Sequence, residues 1–204
     1  MKNIISITIL IFSFLNCKAQ SPILNMEVYA RMDAPNNSYY KDVNNVLNGF
    51  EGTWLYTNGN TSLKIVLVKK TMQHRYNGGY YEDLIVGGYQ YIENGVEKIN
   101  TLSDVNHPNI GRDASIKGNN IYDDCYIIPA DDCIDGEKRL DLSIEDTITT
   151  EHFGDLILHK RTVNGQEALK AMIDIGYVGR NYHNVPTPLP TMPSQMRNII
   201  LIKQ

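Results

Sequence analysis

Apolar and polar residues alternate with a period of two along most of this chain. Leu140, Leu142 and Ile144 share one side, with Arg139, Asp141, Ser143 and Glu145 on the other. Leu169, Ala171, Ile173 and Ile175 alternate with Lys170 and Asp174, and Phe153, Ile157 and His159 oppose Leu156 and Leu158. Leu63, Ile65 and Leu67 alternate with Lys64, Val66 and Val68, which predicts a strand covered on both faces. Successive side chains of a strand point to opposite faces, so this period marks β-structure. The pattern predicts strands over roughly residues 52–57, 62–70, 80–86, 88–93, 96–102, 120–128, 137–145, 153–162, 167–175 and 197–203.

Turn chemistry separates these runs. Asn58-Gly59, Asn94-Gly95, Asp135-Gly136 and Asn164-Gly165 suit the positive φ angles of type I′ hairpins. Asn77-Gly78-Gly79 and Gly87-Gly88 read as two further breaks. Sequential hairpins make an antiparallel up-and-down meander, so the predicted class is all-β. About ten strands do not stay in one flat sheet, and closure into a barrel of about 8–10 strands is expected, with a sandwich as the alternative. One short N-terminal helix is predicted over residues 40–47, capped by Ser38, with Val43 and Leu47 inward. Residues 103–119 are polar and irregular. Residues 176–195 carry Pro186, Pro188, Pro190 and Pro193 and read as an extended strap before the last strand.

The N-terminus follows another pattern. Met1-Lys2-Asn3 is a short basic start, and residues 4–15 form an apolar run. A bilayer span takes about 20 residues, so this run reads as a secretory signal. The expected organisation is a signal peptide at 1–19, an N-terminal segment at 20–48 and a β-barrel domain at 49–204. Cleavage after Ala19 would leave Gln20 first. Alternatively, Phe14-Leu15-Asn16-Cys17 resembles a bacterial lipobox in which Cys17 is lipidated, although Asn16 stands where a small residue is usual. Either route predicts export, to the periplasm or outer membrane when lipid-anchored, or secretion.

Composition adds limits. The 204 residues are 42% apolar and 21% charged, which fits one folded domain rather than disorder or a helical membrane bundle. The net charge of −4 argues against nucleic acid as a partner. A monomer is expected, with membrane contact through a lipid anchor only. Of three cysteines, Cys17 is acylated or removed, and Cys125 and Cys133 remain to form a disulfide outside the cytoplasm.

Gly52-Thr53-Trp54 opens the first barrel strand after a short helical turn, and Trp54 is the only tryptophan. This order resembles the lipocalin and fatty-acid-binding superfamily. The resemblance implies that Trp54 plugs one end, that Gly52 lets the chain pass close to it, and that a cation from the last strand covers the indole. Arg197 is the expected cation. The chain also resembles a family of small exported Bacteroidetes proteins of unknown function, through Cys-Lys-Ala-Gln, Gly-Thr-Trp-Leu-Tyr and Tyr-Gln-Tyr-Ile-Glu-Asn-Gly. That second likeness implies no activity.

Candidate chemistry is sparse. His74, His107, His152, His159 and His183 form no metal-spaced pair, and His152 and His159 would point to opposite faces. Asp131, Asp135 and Gly136 resemble part of a calcium loop, but Leu142 stands where the bidentate glutamate belongs. No nucleophile elbow, P-loop or zinc-protease motif occurs. No catalytic residue, metal or cofactor is therefore assigned, and the chain is expected not to be an enzyme. Thirteen tyrosines are many, and Tyr89 and Tyr91 share a face that would offer an aromatic wall to a ligand. The first expected function is binding of a small apolar ligand inside the barrel. The alternative is a structural or protein-interaction domain of the cell envelope with a filled core.

Overall fold

The computed structural model describes residues 21–28, 35–75, 78–106, 114–125, 132–177 and 188–204. The predicted signal peptide, Cys17, and part of the proline-bearing strap with Pro186 lie outside them, as do His107, Asp131 and His183. The strands are β1 (Ile23–Asn25), β2 (Tyr39–Lys41), β3 (Gly52–Asn58), β4 (Thr61–Arg75), β5 (Tyr80–Glu93), β6 (Val96–Asn100), β7 (Ile116–Tyr122), β8 (Arg139–Glu145), β9 (His152–Val163), β10 (Gln166–Tyr177) and β11 (Gln195–Lys203).

Eight of these strands close an antiparallel barrel in the order β3-β4-β5-β7-β8-β9-β10-β11. Sequential hairpins bring β11 back to β3, where Ile202 pairs with Leu55 and Lys203 with Trp54. The expected meander and its closure are both present. Closure removes the free edges that would otherwise pair between molecules. Inward side chains from every strand meet in one cluster, and outward positions such as Lys64, Lys117, Asp141 and Lys170 are polar. A membrane barrel would show the reverse, an apolar wall outside.

The barrel's second seam runs along β5, whose edge is divided among three partners. β2 pairs in parallel with Tyr81 and Glu82. β7 pairs with Ile85 to Gly87, and β6 with Gln90 to Glu93. At the handover the Thr101 hydroxyl accepts a hydrogen bond from the Tyr89 amide at 2.9 Å, and the Thr101 amide donates to the Tyr89 carbonyl at 2.8 Å. Thr101 and Ser115 hydroxyls lie 2.6 Å apart beside it. Here the expected break at Gly87-Gly88 is overturned. β5 runs straight through both glycines, because a Cβ on Gly88 would lie 2.1 Å from the Thr101 carbonyl oxygen and one on Gly87 2.5 Å from that of Val66. The glycines admit neighbouring backbone rather than a turn.

The hairpins largely follow the turn dipeptides. Asn94-Gly95 and Asn164-Gly165 both have two positive φ angles, as type I′ requires. In the first hairpin Asn58 ends β3, and the tip is Gly59-Asn60 with only Gly59 positive. Asp135-Gly136 lies in the β7–β8 connection rather than at a tight hairpin tip. Val68, on the outer side of β4, packs with Leu84, Val86 and Ala114, so that strand is covered on both faces as its sequence predicts.

Two expected elements differ. The helix over 40–47 does not form: Tyr40 lies in β2, Asn45 has φ +54, and only a 3-10 turn at Leu47–Phe50 follows. Asn44 and Asn45 favour turns over helix interiors. Ser38 is not its cap; its carbonyl accepts the Tyr81 amide at 2.8 Å. Of the strand expected over 120–128, residues 120–122 belong to β7 (Ile116–Tyr122), which begins earlier and bulges between Lys117 and Asn120, and residues 126–128 lie outside the described residues.

Gly88→Ala is expected to destabilise the protein by about 3 kcal/mol, because backbone rather than a flexible side chain must yield. Gly176→Ala meets only one atom, at 4.0 Å, and should change stability by less than about 0.5 kcal/mol. Urea unfolding midpoints of both variants check this.

Candidate functional site

The barrel centre is built by one inward side chain after another. Ile65, Tyr89, Ile116, Leu140, Leu158, Ile173 and Leu201, from seven strands, are each 0% exposed, and Trp54 from the eighth is 2% exposed. A void wide enough for a water molecule would itself give these side chains accessible area, so no such chamber lies among them. Tyr89 and Tyr91 stand in this core as their pattern predicts, 0% and 2% exposed. The Tyr89 hydroxyl donates to the Glu145 carbonyl at 3.0 Å. Burial raises the Tyr89 phenol well above its usual range, helped by Asp146 and Asp104. The two rings act as packing rather than as an open aromatic wall.

One end is corked by Trp54, whose indole N–H donates to the Phe50 carbonyl at 2.9 Å. The cation over the indole is Lys203, with its ammonium 5.4 Å from the ring centre, and not Arg197. The cause is a bulge: Ala171 pairs with Ile199 but Ile173 with Met196, and Asn198 takes φ +56. An extra residue in β11 reverses the facing of everything before it. Ile199, Leu201 and Lys203 point in, while Arg197 turns outward to Asp174 at 3.3 Å and the Met172 sulfur at 3.7 Å. Gly52 has φ +132, and a Cβ there would lie 3.3 Å from the Lys203 stem. The glycine expected to allow close passage does so, and what passes is Lys203. Lys160 adds a second ammonium, 5.1 Å from the Phe50 ring centre.

Beside the cork lies a buried acid network that the sequence reading missed. Asp42 and Asp83 are each 1% exposed. Asp83 accepts from the Tyr39 hydroxyl at 2.5 Å, the Met72 amide at 3.0 Å and the Asp42 amide at 3.0 Å. Asp42 accepts the Val46 and Leu47 amides at 2.8 and 3.0 Å and the Lys69 ammonium at 2.8 Å. It thereby satisfies the leading amides of the 3-10 turn that carries Phe50. Burial, then the Asp83 carboxylate, hold the Tyr39 phenol neutral far above the usual range. The only advance signal was an isolated aspartate four residues before an apolar turn.

The outer wall carries a third cluster. Cys125 and Cys133 are bonded, Cα atoms 5.8 Å apart, as the cysteine count predicts. The stapled loop presses onto β9 and β10: Asp132 reaches Arg161 at 3.1 Å and Lys170 at 2.6 Å, and Glu137 pairs with Arg161. Those hydrogen bonds pull the Asp132 carboxyl far below its ordinary range. Asp131, the residue aligned with a calcium loop, lies outside the described residues; its neighbour Asp132 anchors the loop itself. Among the described residues no group of three or more His, Cys, Asp or Glu side chains is placed to hold a metal ion. His159 lies beneath the loop and His152 on the opposite face; burial lowers His159 below its ordinary value, against Glu137. Further along the same wall, burial and the Asp155 carboxylate raise Asp141 to about 6, against a hydrogen bond from Asn120. At the end away from the cork, Asp146 gathers the Ile148, Thr149 and Thr191 amides at 3.0, 3.0 and 2.5 Å and ties the last strap to the β8–β9 loop. Burial alone would raise Asp146, but those bonds from Thr191 and Thr149 bring it below the usual carboxylate range.

Closed, filled and stapled, the molecule is a β-barrel domain with its polar chemistry on the outside and at its ends. The whole chain, residues 1–204, matches the family of unknown function DUF6705, and the chain belongs to that family. No curated protein and no solved structure matches it.

Asp141 sets the pH prediction. Its folded carboxyl binds a proton more tightly than the unfolded chain, whose ordinary value is 3.8. Its stabilising contribution is therefore present below about pH 4 and falls as pH rises toward about 6. The side chain is half-buried, so solvent screening limits the loss to about 1 kcal/mol. Asp141→Asn should gain that amount at neutral pH and nothing at about pH 4. Urea titrations at the two pH values read the difference.

Proposed function

We propose that the mature protein is an exported, lipid-anchored interaction domain of the cell envelope, a filled β-barrel that works through its outer wall and loops. It is neither a carrier for a small apolar ligand nor an enzyme. One observation carries this choice between the two readings: the side chains at the barrel centre are 0–2% exposed. A ligand chamber needs a void of about 300 Å³ or more. Export is supported by the apolar run behind a basic start and by the Cys125–Cys133 bond, which requires an oxidising compartment. Anchoring is supported by Cys17 at the end of that run; an acyl chain gains about 0.8 kcal/mol for each buried methylene.

Titration with a fluorescent polyene fatty acid should show no saturable one-to-one uptake; stoichiometric uptake would restore the carrier reading. The mass of the mature N-terminus should carry acyl chains on Cys17, and Cys17→Ser should move the protein from the membrane fraction to the soluble one. A mature chain that begins at Gln20 without lipid would leave secretion in its place.

A further inference from the structure

The β4–β5 hairpin runs on past the corked end of the barrel, and β2 and then β1 add to its edge there. Ile23, Tyr39, Tyr81 and His74 lie side by side across these four strands. Ile23 is 53% exposed, and the Tyr81 and His74 rings are 4.9 Å apart. Val43 and Met72, 49% and 54% exposed, stand close by, because the Met72 amide and that of Asp42, next to Val43, both bond the Asp83 carboxylate. The tip therefore shows apolar and aromatic side chains to solvent.

The carboxylates of the tip are buried, while lysines stay at its surface. Asp42 and Asp83, each 1% exposed, are turned into the network described above, and Glu82, 6% exposed, pairs with Arg75 at 3.1 Å and with Asn119 at 3.1 Å. Lys41 and His74 remain exposed, with Lys70 half-buried beside them, whereas the Arg75 guanidinium is paired with Glu82. Apolar groups, tyrosine rings and lysines together are what an anionic lipid surface binds. The position of Cys17 says which surface is near: five residues lie between it and Ile23, a reach of about 20 Å when fully extended.

We propose that this tip docks on the anionic surface of the bilayer that holds the Cys17 lipid, standing the barrel on its corked end. The inference rests on the anchoring reading above. Tether and tip then bind as linked sites, so a weak tip contact becomes intramolecular and persists.

The test uses the full acylated protein in vesicles of phosphatidylethanolamine with phosphatidylglycerol. An environment-sensitive fluorophore is attached at Met72→Cys, at Val43→Cys as a second site, and at Leu189→Cys, 83% exposed at the far end. The native cysteines are acylated or bridged and do not compete for the label. The tip labels should shift to the blue and be quenched by brominated lipid, while the Leu189→Cys label stays aqueous. Lys41→Glu with Lys70→Glu, or high salt, should return the tip labels to water. Aqueous tip labels on a protein still held by its lipid would overturn the docking and leave the anchor standing. Quenching at both ends would overturn it as well. A mature chain without acyl groups on Cys17 would remove anchor and docking together.

Discussion

Leu55 with Ile202, and Trp54 with Lys203, join the first barrel strand to the last. The other barrel pairings follow from hairpins or a short excursion, whereas this seam joins opposite ends of the barrel sequence and meets the greatest closure entropy. Several contacts converge on it. The Gln204 amide donates to the Thr53 carbonyl at 2.9 Å, the indole bonds Phe50, and Lys203 stands over the ring. Phe50 is held in turn by a 3-10 turn whose first amides end on Asp42. The filled interior exists only while the seam is shut, so an exposed-looking terminal lysine and a buried aspartate serve the same hydrophobic core.

The outside of the barrel is organised by a different rule. At three places where the chain leaves the barrel wall, a carboxylate or hydroxyl gathers backbone amides left over. Asp42 does this beside the cork, Thr101 where β5 changes partner, and Asp146 under the last strap. A buried amide without a partner costs more than the bond that satisfies it contributes, so these residues define where loops sit. The disulfide loop uses charge for the same end, through Asp132 and Glu137 on Arg161 and Lys170.

The meander was legible because alternation and Asn-Gly turns are local. Leu140, Leu142 and Ile144 could face only one way, and Asn164-Gly165 could turn only one way. Trp54 at a barrel end was legible through its glycine, and the Cys125–Cys133 bond through counting. The misreadings share a cause. Arg197 and Lys203 have the same parity, so nothing in the pattern betrays a bulge between them. Gly87-Gly88 reads as a turn unless one knows that Val66 and Thr101 carbonyls crowd both positions. Residues 40–47 carry helical spacing, yet Tyr40 is claimed by the edge of β5. Tyr89 and Tyr91 were placed correctly on the inner face; whether that face encloses space depends on seven other strands. Asp42 and Asp83 lie 41 residues apart and become one network only after the sheet has closed.

The divided edge of β5 has a last consequence. Between β6 and β7 the chain leaves the wall, makes a 3-10 turn at Leu102–Asn106, and re-enters at Ile116 with the register of β5 already set by Ile85 to Gly87. The excursion is itself fastened where it meets the wall, because the Asp104 carboxylate accepts the Ser115 amide at 3.3 Å and Ala114 packs beneath Leu84 and Val86, so its two feet act as a rivet on the divided edge.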